Sequence, residues 1–247
     1  MTSTMRLLVA LGCAALLAGC GAGRNFKMPA EDQLKLGVTT PQDAVAMFGQ
    51  PLSQASQTQT EVAKSSEPET VFTAVPQPGT YVGYSYIFVD TTGQQWVGRL
   101  AGLRPERFLR LVFYDGKLAG YLSTSSFKDD STDFDNSRVS QIIRDKSTAA
   151  DVVALMGRPR GGAIFPLISP RAGHSLTYYY LEDNLQANTH RTKFLNIYFD
   201  ANNIVRDIQS SDSTSPLPIA PAAGGPVVAW ADNSGGNYEI YVRRFVP

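Results

Sequence analysis

Two stretches of the chain repeat the same order of polar and apolar positions. Residues 38–51 align with residues 146–159 without a gap, and the residue type is identical at six positions. In both stretches an aspartate follows a threonine by three residues, as in a variant of the capping box at a helix N-terminus. Apolar residues then follow at helical spacing, and a glycine and a proline end the pattern. The repeat predicts one short helix after Thr40 and another after Thr148, and helices of about nine residues need a packing partner to be stable.

The residues after each predicted helix have the character of antiparallel strands. Tyrosine-rich, β-prone segments come first, at residues 81–89 and 175–182. A hairpin and a third strand follow each segment, and the first hairpin turns at Asp115 and Gly116. The predicted hairpins and third strands cover residues 109–118, 119–125, 194–205 and 206–210.

Each half of this pattern begins with two helices and ends with three strands. A shorter helical stretch precedes each capped helix, at residues 31–36 and at residues 137–144. The predicted fold class is α+β, with two tandem units, each of two short helices packed on a three-stranded or four-stranded antiparallel sheet. The units span residues 31–125 and 137–210, and an acidic linker, residues 126–136, joins them.

The N-terminus has the three parts of a secretory signal. Arg6 precedes an apolar run at residues 7–17, and two small residues then lead to Cys20. This run is too short to span about 30 Å of hydrocarbon as a stable helix. It therefore predicts a signal peptide, residues 1–19, that is removed from the mature protein.

Residues 16–20, Leu-Leu-Ala-Gly-Cys, resemble the lipobox of bacterial lipoproteins. The resemblance implies that Cys20 is lipidated and becomes the first mature residue, at the start of a lipidated linker over residues 20–30. Stable anchoring needs more than one acyl chain. Residue 21 is Gly rather than Asp, which by the same resemblance implies the periplasmic face of the outer membrane. An ordinary signal peptide with an incidental cysteine is the alternative interpretation.

The motifs behind this lipobox resemble the SmpA/OmlA (BamE-like) family of outer-membrane lipoproteins. A helix ending in Gly-x-Pro, a Tyr-x-Tyr strand and a strand-Asp-Gly-strand hairpin carry the resemblance. The matching residues are Thr40, Gly49, Pro51, Tyr84, Tyr86, Phe113 and Asp115, and then Thr148, Gly157, Pro159, Tyr178, Tyr180, Tyr198 and Asp200. The resemblance implies a protein-binding accessory or scaffold in outer-membrane and cell-envelope assembly, with the barrel-assembly machinery as a partner.

Two such units in tandem are also similar to the secreted β-lactamase inhibitor proteins. In that architecture the two sheets form one concave surface. The similarity implies an alternative function, that of a periplasmic inhibitor or sensor that binds an enzyme through a concave paired sheet.

Two insertions supply the candidate partner-binding residues. Residues 160–174 hold an apolar run at a place where a loop is expected, and an exposed patch of this kind often marks a contact site. Packing of the run in the seam between the two units is the alternative interpretation. The candidate residues are Ile164, Phe165, Leu167 and Ile168, together with Trp96 in the insertion at residues 90–107.

Composition and net charge argue against several classes of protein and of functional site. The 247 residues carry a formal net charge of zero and are 43% hydrophobic, which argues against a disordered chain and against a basic nucleic-acid-binding face. Two histidines and two cysteines leave little from which to build a metal site or a disulfide framework. Nucleophile-elbow, phosphate-loop and HExxH patterns do not occur, so we expect a protein without enzymatic activity, cofactor or metal.

The remaining segments are a linker, a loop and a hairpin. Residues 52–79 are rich in Gln, Ser, Thr and Pro and predict a mobile loop. Residues 211–247 form a C-terminal region that begins with a Pro/Ala/Gly-rich linker. Apolar segments at 227–230 and 238–242 then predict a terminal hairpin.

Overall fold

The described part of the chain is organised around one antiparallel sheet. The computed structural model describes residues 21–30, 32–61, 77–90, 105–169, 171–184, 187–216, 227–232 and 239–244. The strands of the sheet are β1 (Gly21–Gly23), β2 (Ser53–Gln59), β3 (Gly79–Asp90), β4 (Glu106–Tyr114), β5 (Lys117–Ser125), β6 (Gly161–Ile164), β7 (His174–Asn184), β8 (Thr189–Phe199) and β9 (Val205–Pro216). From β2 to β9 each strand pairs with the next along the chain, and β1 pairs with β3 on the edge that β2 also occupies.

The prediction of two tandem α+β units, each with two helices and its own sheet, is wrong. The two halves share a single nine-stranded sheet, because β6 pairs with β5 on one side and with β7 on the other. A Cβ atom at Gly161 would lie 2.7 Å from a carbonyl oxygen of β5, and one at Gly162 would lie 2.7 Å from a carbonyl oxygen of β7. Glycine permits this close strand approach, whereas the Gly-Gly pair in the sequence suggests a loop.

The two helical stretches expected ahead of the capped helices are not α-helical. Residues 32–38 form turns, in which the N–H of Gly37 donates to the carbonyl oxygen of Leu118 at 2.7 Å and the N–H of Lys35 donates to Thr39 Oγ1 at 2.9 Å. These backbone groups bond to the sheet and to a side chain, and a helix of six residues cannot compete with them. In the second half, Asn136–Gln141 form a 3-10 helix instead.

Two α-helices begin where the repeat predicts. In α1 (Pro41–Phe48), the N–H of Thr40 donates to Asp43 Oδ2 at 2.9 Å and the N–H of Asp43 donates to Thr40 Oγ1 at 3.2 Å. Thr148 and Asp151 make the same two bonds, of 2.8 and 3.2 Å, at the start of α2 (Ala149–Met156). The reciprocal bonds satisfy backbone donors that have no partner within the helix, so the capping boxes are confirmed.

A tyrosine of the sheet forms a hydrogen bond with the C-terminal end of each helix. Gly49 and Gly157 have φ angles of 79° and 80°, which favour glycine at these positions. The hydroxyl of Tyr86 donates to the carbonyl oxygen of Gly49 at 3.2 Å, and that of Tyr178 donates to the carbonyl oxygen of Gly157 at 2.8 Å. Helix, glycine and tyrosine therefore repeat as one arrangement in both halves.

The positions of the predicted strands are confirmed, although β9 continues to Pro216 into the predicted linker, and three further strands were not predicted. The β4–β5 hairpin turns at Asp115 and Gly116, with φ angles of 46° and 78°. The predicted C-terminal hairpin is present as β10 (Val227–Asp232) paired with β11 (Glu239–Arg244). The unpredicted strands are β1, β2 and β6. β1 lies in the predicted linker over residues 20–30, and β2 lies in the polar segment for which a mobile loop was expected.

Both α-helices pack on one face of the sheet, which we call the helix face. Ala44 and Phe48 of α1 belong to a core cluster with residues of β3, β4 and β5, and Val152 and Met156 of α2 belong to one with residues of β7 and β8. Paired strand residues have side chains on the same face. One row of pairs that joins the two clusters consists of Leu111, Tyr121, Gly162, Leu176 and Ile197.

Candidate functional site

The second face of the sheet, which we call the open face, carries the residues that alternate with the core residues along the strands. On β4, Leu109 and Leu111 are fully buried in the helix-face core, so Phe108 and Arg110 point to the opposite side. The open-face side chains include Tyr81, Phe108, Arg110, Val112, Tyr114, Tyr179, Phe194, Asn196 and Tyr198. Apart from the buried Tyr198 these residues are half-buried, and none belongs to either core cluster.

Two aromatic pairs lie on the open face, one in each half of the sheet. The ring centroids of Tyr81 and Tyr114 are 5.1 Å apart, and those of Tyr179 and Phe194 are 6.4 Å apart with an edge-to-face arrangement. Burial raises the pKa of Tyr179 to about 12, and the nearby carboxylate of Glu106 contributes in the same direction. The phenol of Tyr179 is therefore neutral at physiological pH and available as a hydrogen-bond donor.

Small side chains separate the two aromatic pairs. The row of paired residues across the middle of the open face is Gly83, Val112, Gly120, Ala163 and Ser175. A Cβ atom at Gly120 would lie 2.6 Å from Leu167 Cδ1, so the side chain of Leu167 occupies the space above this glycine. Small residues and the side chain of Leu167 therefore lie between the two aromatic pairs of the open face.

Arg110 is the basic residue nearest the centre of this face. Its neighbours across the ladder are Ser85 on β3 and Leu122 on β5, and neither is an acid. Among the described residues, its guanidinium has no hydrogen bond, ion pair or aromatic contact, and burial lowers the pKa of Arg110 below its usual value. A half-buried guanidinium without a partner can donate two parallel hydrogen bonds to a carboxylate that approaches from outside.

The structure places Ile164 at the end of β6, and it places Phe165, Leu167 and Ile168 in the connection between β6 and β7. Ile168 is buried, with 4% of its surface exposed, while Ile164, Phe165 and Leu167 are half-buried. Phe165 lies under the guanidinium of Arg171, with 4.6 Å between its ring centroid and Arg171 Cζ. Leu167 faces the open side of the sheet at Gly120, as described above, so it is the member of this group that adjoins the candidate site.

Two other predicted site residues, Cys20 and Trp96, lie outside the described residues. The most exposed large apolar side chains of the described residues are Val38, Leu52 and Ile143. These three residues lie in loops beside the helices and are separated along the chain, and scattered apolar residues of this kind are normal on protein surfaces.

A hydrogen-bonded chain of Asp183, His190 and Thr192 lies near the end of the β7–β8 hairpin. His190 Nδ1 is 2.7 Å from Asp183 Oδ1, and His190 Nε2 is 3.1 Å from Thr192 Oγ1. Carboxylate, imidazole and hydroxyl have the order of a nucleophilic triad. Here β8 pairs with both β7 and β9 along this length, so its backbone N–H groups are committed to the ladder and do not converge as an oxyanion hole. We interpret the chain as a structural connection between neighbouring strands.

The acidic segment between the halves is packed against the sheet. Asp130 accepts from Arg107 Nε at 2.7 Å, and Asp133 accepts from Lys193 Nζ at 2.7 Å. Lys193, only 6% exposed, also donates to the carbonyl oxygen of Phe134. These acids are therefore paired with basic residues of the sheet. Among the described residues, no group of three or more His, Cys, Asp or Glu side chains is arranged to hold a metal ion.

Sequence reasoning did not identify the open face as a site. The segment from Phe108 to Phe113 is apolar except for Arg110, and an isolated charge inside a predicted strand is the signal that could have drawn attention to it. The pairing of Tyr179 with Phe194 depends on strand register, for which the sequence has no direct signal.

Comparisons of the chain with protein-family models, with curated proteins and with solved structures find no match. Within the described ranges, no helix has the length and apolar character that crossing a membrane requires.

Proposed function

We propose that the protein is a lipid-anchored, periplasmic protein-binding module that acts as an accessory or scaffold in outer-membrane and cell-envelope assembly, and that the open face binds its partner. The observation that carries the proposal is the set of half-buried aromatic side chains on a sheet face that neither α-helix covers. Aromatic residues and arginine are enriched in the centres of protein interfaces.

The open face has two properties that suit protein recognition. Its aromatic pairs, Tyr81 with Tyr114 and Tyr179 with Phe194, offer large contact area with few rotatable bonds, so little side-chain entropy is lost on binding. Arg110 between them offers a directional contact for a carboxylate. The partner that fits this arrangement presents apolar side chains around at least one acidic residue.

Site-specific photocrosslinking in cells tests the binding face. A photoreactive phenylalanine analogue is placed at Phe108 or Tyr179 on the open face, and at Gln42, an exposed residue of α1, as the matched control. We expect the same envelope protein to be crosslinked from both open-face positions and not from Gln42. Equal crosslinking from all three positions, or crosslinking from Gln42 alone, would contradict the proposed binding face.

Fractionation of cells tests the anchor. The lipobox-like segment ending at Cys20 supports lipidation, and Cys20→Ala removes the thiol that carries the lipid. The variant should move from the membrane fraction to the soluble periplasm. If the variant were distributed between the membrane and soluble fractions as the unmodified protein is, the lipid anchor would be contradicted. The crosslinking experiment would still test the binding face.

Inhibition or sensing of a periplasmic enzyme is the second candidate function. The continuity of the sheet across both halves favours it, because a single uninterrupted face can contact one large partner. Identification of the crosslinked protein distinguishes the two candidates, since a component of the barrel-assembly machinery supports the first and a hydrolase supports the second.

A further inference from the structure

The first residues after the lipidation position are built into the sheet. β1 begins at Gly21 and pairs with the end of β3, with Gly21 opposite Asp90 and Gly23 opposite Phe88. Gly23 has a φ of 89°, and a Cβ atom there would lie 1.9 Å from the carbonyl oxygen of Ile87. The backbones therefore approach each other at a distance that only glycine permits.

The chain remains fixed to the fold beyond β1. Phe26 is 6% exposed in the core, with its ring centroid 5.9 Å from that of Tyr86. Arg107 Nη1 donates to Asn25 Oδ1 at 2.9 Å, and Arg158 Nη2 donates to the carbonyl oxygen of Pro29 at 2.6 Å. Residues 21–30 are thus held by pairing, by burial and by two side-chain hydrogen bonds, and they do not form a free tether.

We infer that acylation of Cys20 holds one end of the sheet directly against the bilayer. This inference rests on the lipid anchor proposed above. The end in question, which we call the anchor end, comprises the C-terminal end of β3 at Asp90, the N-terminal end of β4 at Glu106 and the residues that follow β5, Ser126–Lys128. Paired strands are about 4.8 Å apart, so Gly21, the residue next to the lipidated cysteine in the sequence, lies about 5 Å from Asp90.

The opposite end of the sheet then points into the periplasm. β4 is nine residues long, and at about 3.3 Å per residue the Cα atoms at its two ends are about 26 Å apart. The turn at Asp115 and Gly116 lies at the distant end. In this upright orientation the open face is parallel to the membrane normal and remains accessible to a partner, whereas a sheet lying flat on lipid would have one face covered.

Single-cysteine labelling of the acylated protein in vesicles tests the orientation. The mature protein has no cysteine other than Cys20, so Lys128→Cys at the anchor end and Lys117→Cys at the distant end each introduce one free thiol. Both lysines are exposed. Each variant carries an environment-sensitive fluorophore and is reconstituted with phospholipids that bear a quencher on the headgroup. Quenching at position 128 should exceed that at position 117 several-fold.

A variant with a longer segment between Cys20 and β1 serves as the control. An insertion of ten Gly and Ser residues between Cys20 and Gly21 should reduce quenching at position 128 to the value at position 117, because the anchor then acts through a flexible tether. Equal quenching at the two positions with the native spacing would overturn the inference while leaving the anchor intact. Absence of the acyl mass from the purified protein would refute the anchor itself, and the inference with it.

Discussion

We expect the charge of Arg110 to lower the stability of the free protein, because its guanidinium is half-buried and has no partner among the described residues. Burial lowers the pKa of Arg110, since desolvation disfavours the charged form. Arg110→Met removes the charge and keeps most of the aliphatic chain, so the free energy of unfolding should stay the same or rise by up to about 1 kcal/mol. Crosslinking from Phe108 should nevertheless fall, and urea unfolding and crosslinking together measure the two effects.

Arg107, on the same strand, is the matched control for Arg110. Its guanidinium donates to Asp130 and Asn25 and lies 4.1 Å from the ring centroid of Phe127. Arg107→Met should therefore lower the free energy of unfolding by about 2 kcal/mol. If Arg110→Met were equally destabilising, Arg110 would have a structural role and the binding interpretation would fail.

Buried tyrosines make the stability of the protein sensitive to alkaline pH. Burial raises the pKa of Tyr86 to about 12, raises that of Tyr179 to about 12 with a contribution from Glu106, and raises that of Tyr178 further. The unfolded chain ionises near pH 10, so their contribution is fully present below that pH and is lost as pH rises from about 10 to 12. Urea unfolding between pH 8 and pH 12 should show this decline.

The Tyr178→Phe variant separates two effects of the Tyr178 hydroxyl, which are its hydrogen bond in the native state and its ionisation at high pH. The variant loses the hydrogen bond to Gly157, so it should be about 1 kcal/mol less stable at neutral pH. It also loses one titrating group, so its stability should fall less steeply above pH 10 than that of the unmodified protein. Identical slopes for the two proteins would show that Tyr178 ionises as freely in the native state as in the unfolded chain.

At the scale of elements, the two capping boxes are expected to contribute separately to stability. Thr40→Ala and Thr148→Ala each remove the side-chain oxygen that accepts a hydrogen bond from the backbone N–H of Asp43 or Asp151 in the first turn of the helix. Each substitution should lower the free energy of unfolding by about 1 kcal/mol, and Thr→Ser at the same position should restore most of the loss because the hydroxyl is kept. Thermal or urea unfolding of the four variants measures the effect.

Because of the carboxylates of Asp43 and Asp151, the stability that the capping boxes contribute depends on pH. Hydrogen bonds from the backbone N–H and the hydroxyl of Thr40 lower the pKa of Asp43, and those of Thr148 do the same for Asp151. A depressed native pKa stabilises the fold above about pH 4, and this contribution is lost as pH falls further. The Thr→Ala variants should therefore lose less stability on acidification than the unmodified protein does, and an unchanged acid dependence would contradict the capping role.

The elements that could be predicted from the sequence are those whose signals are local. A helix cap, a glycine with positive φ at a helix end and an Asp-Gly turn are each signals that involve only a few neighbouring residues, so α1, α2 and the β4–β5 hairpin follow from pattern alone. β6 has no such signal, because its two glycines function only through contacts with β5 and β7. The error in the fold class is therefore an error about pairing between distant segments, which propensity does not encode.

At the scale of the whole molecule, the two core clusters are separate, and the seam that joins them is small. β6 supplies the continuous ladder between the halves, and contacts from the intervening segment add to it, such as Thr132 Oγ1 donating to the carbonyl oxygen of Tyr179 at 2.8 Å. Because both cores depend on one sheet, we expect the described sheet to unfold in a single cooperative transition. Its cooperativity should be most sensitive to substitutions in β6.

Gly161→Ala tests this dependence with a single methyl group. The added Cβ would lie 2.7 Å from the carbonyl oxygen of Tyr121 and 3.1 Å from side-chain atoms of Leu122 and Thr177, so the backbone of β5 or β6 must shift. The variant should lose about 1–3 kcal/mol and should unfold over a broader urea range as the halves separate. Gly83→Ala, also within a strand, is the matched control, since nothing lies within 4 Å of its added Cβ and a small gain is expected. If both variants unfolded as sharply as the unmodified protein and with equal midpoints, the halves would have to be coupled through contacts other than β6.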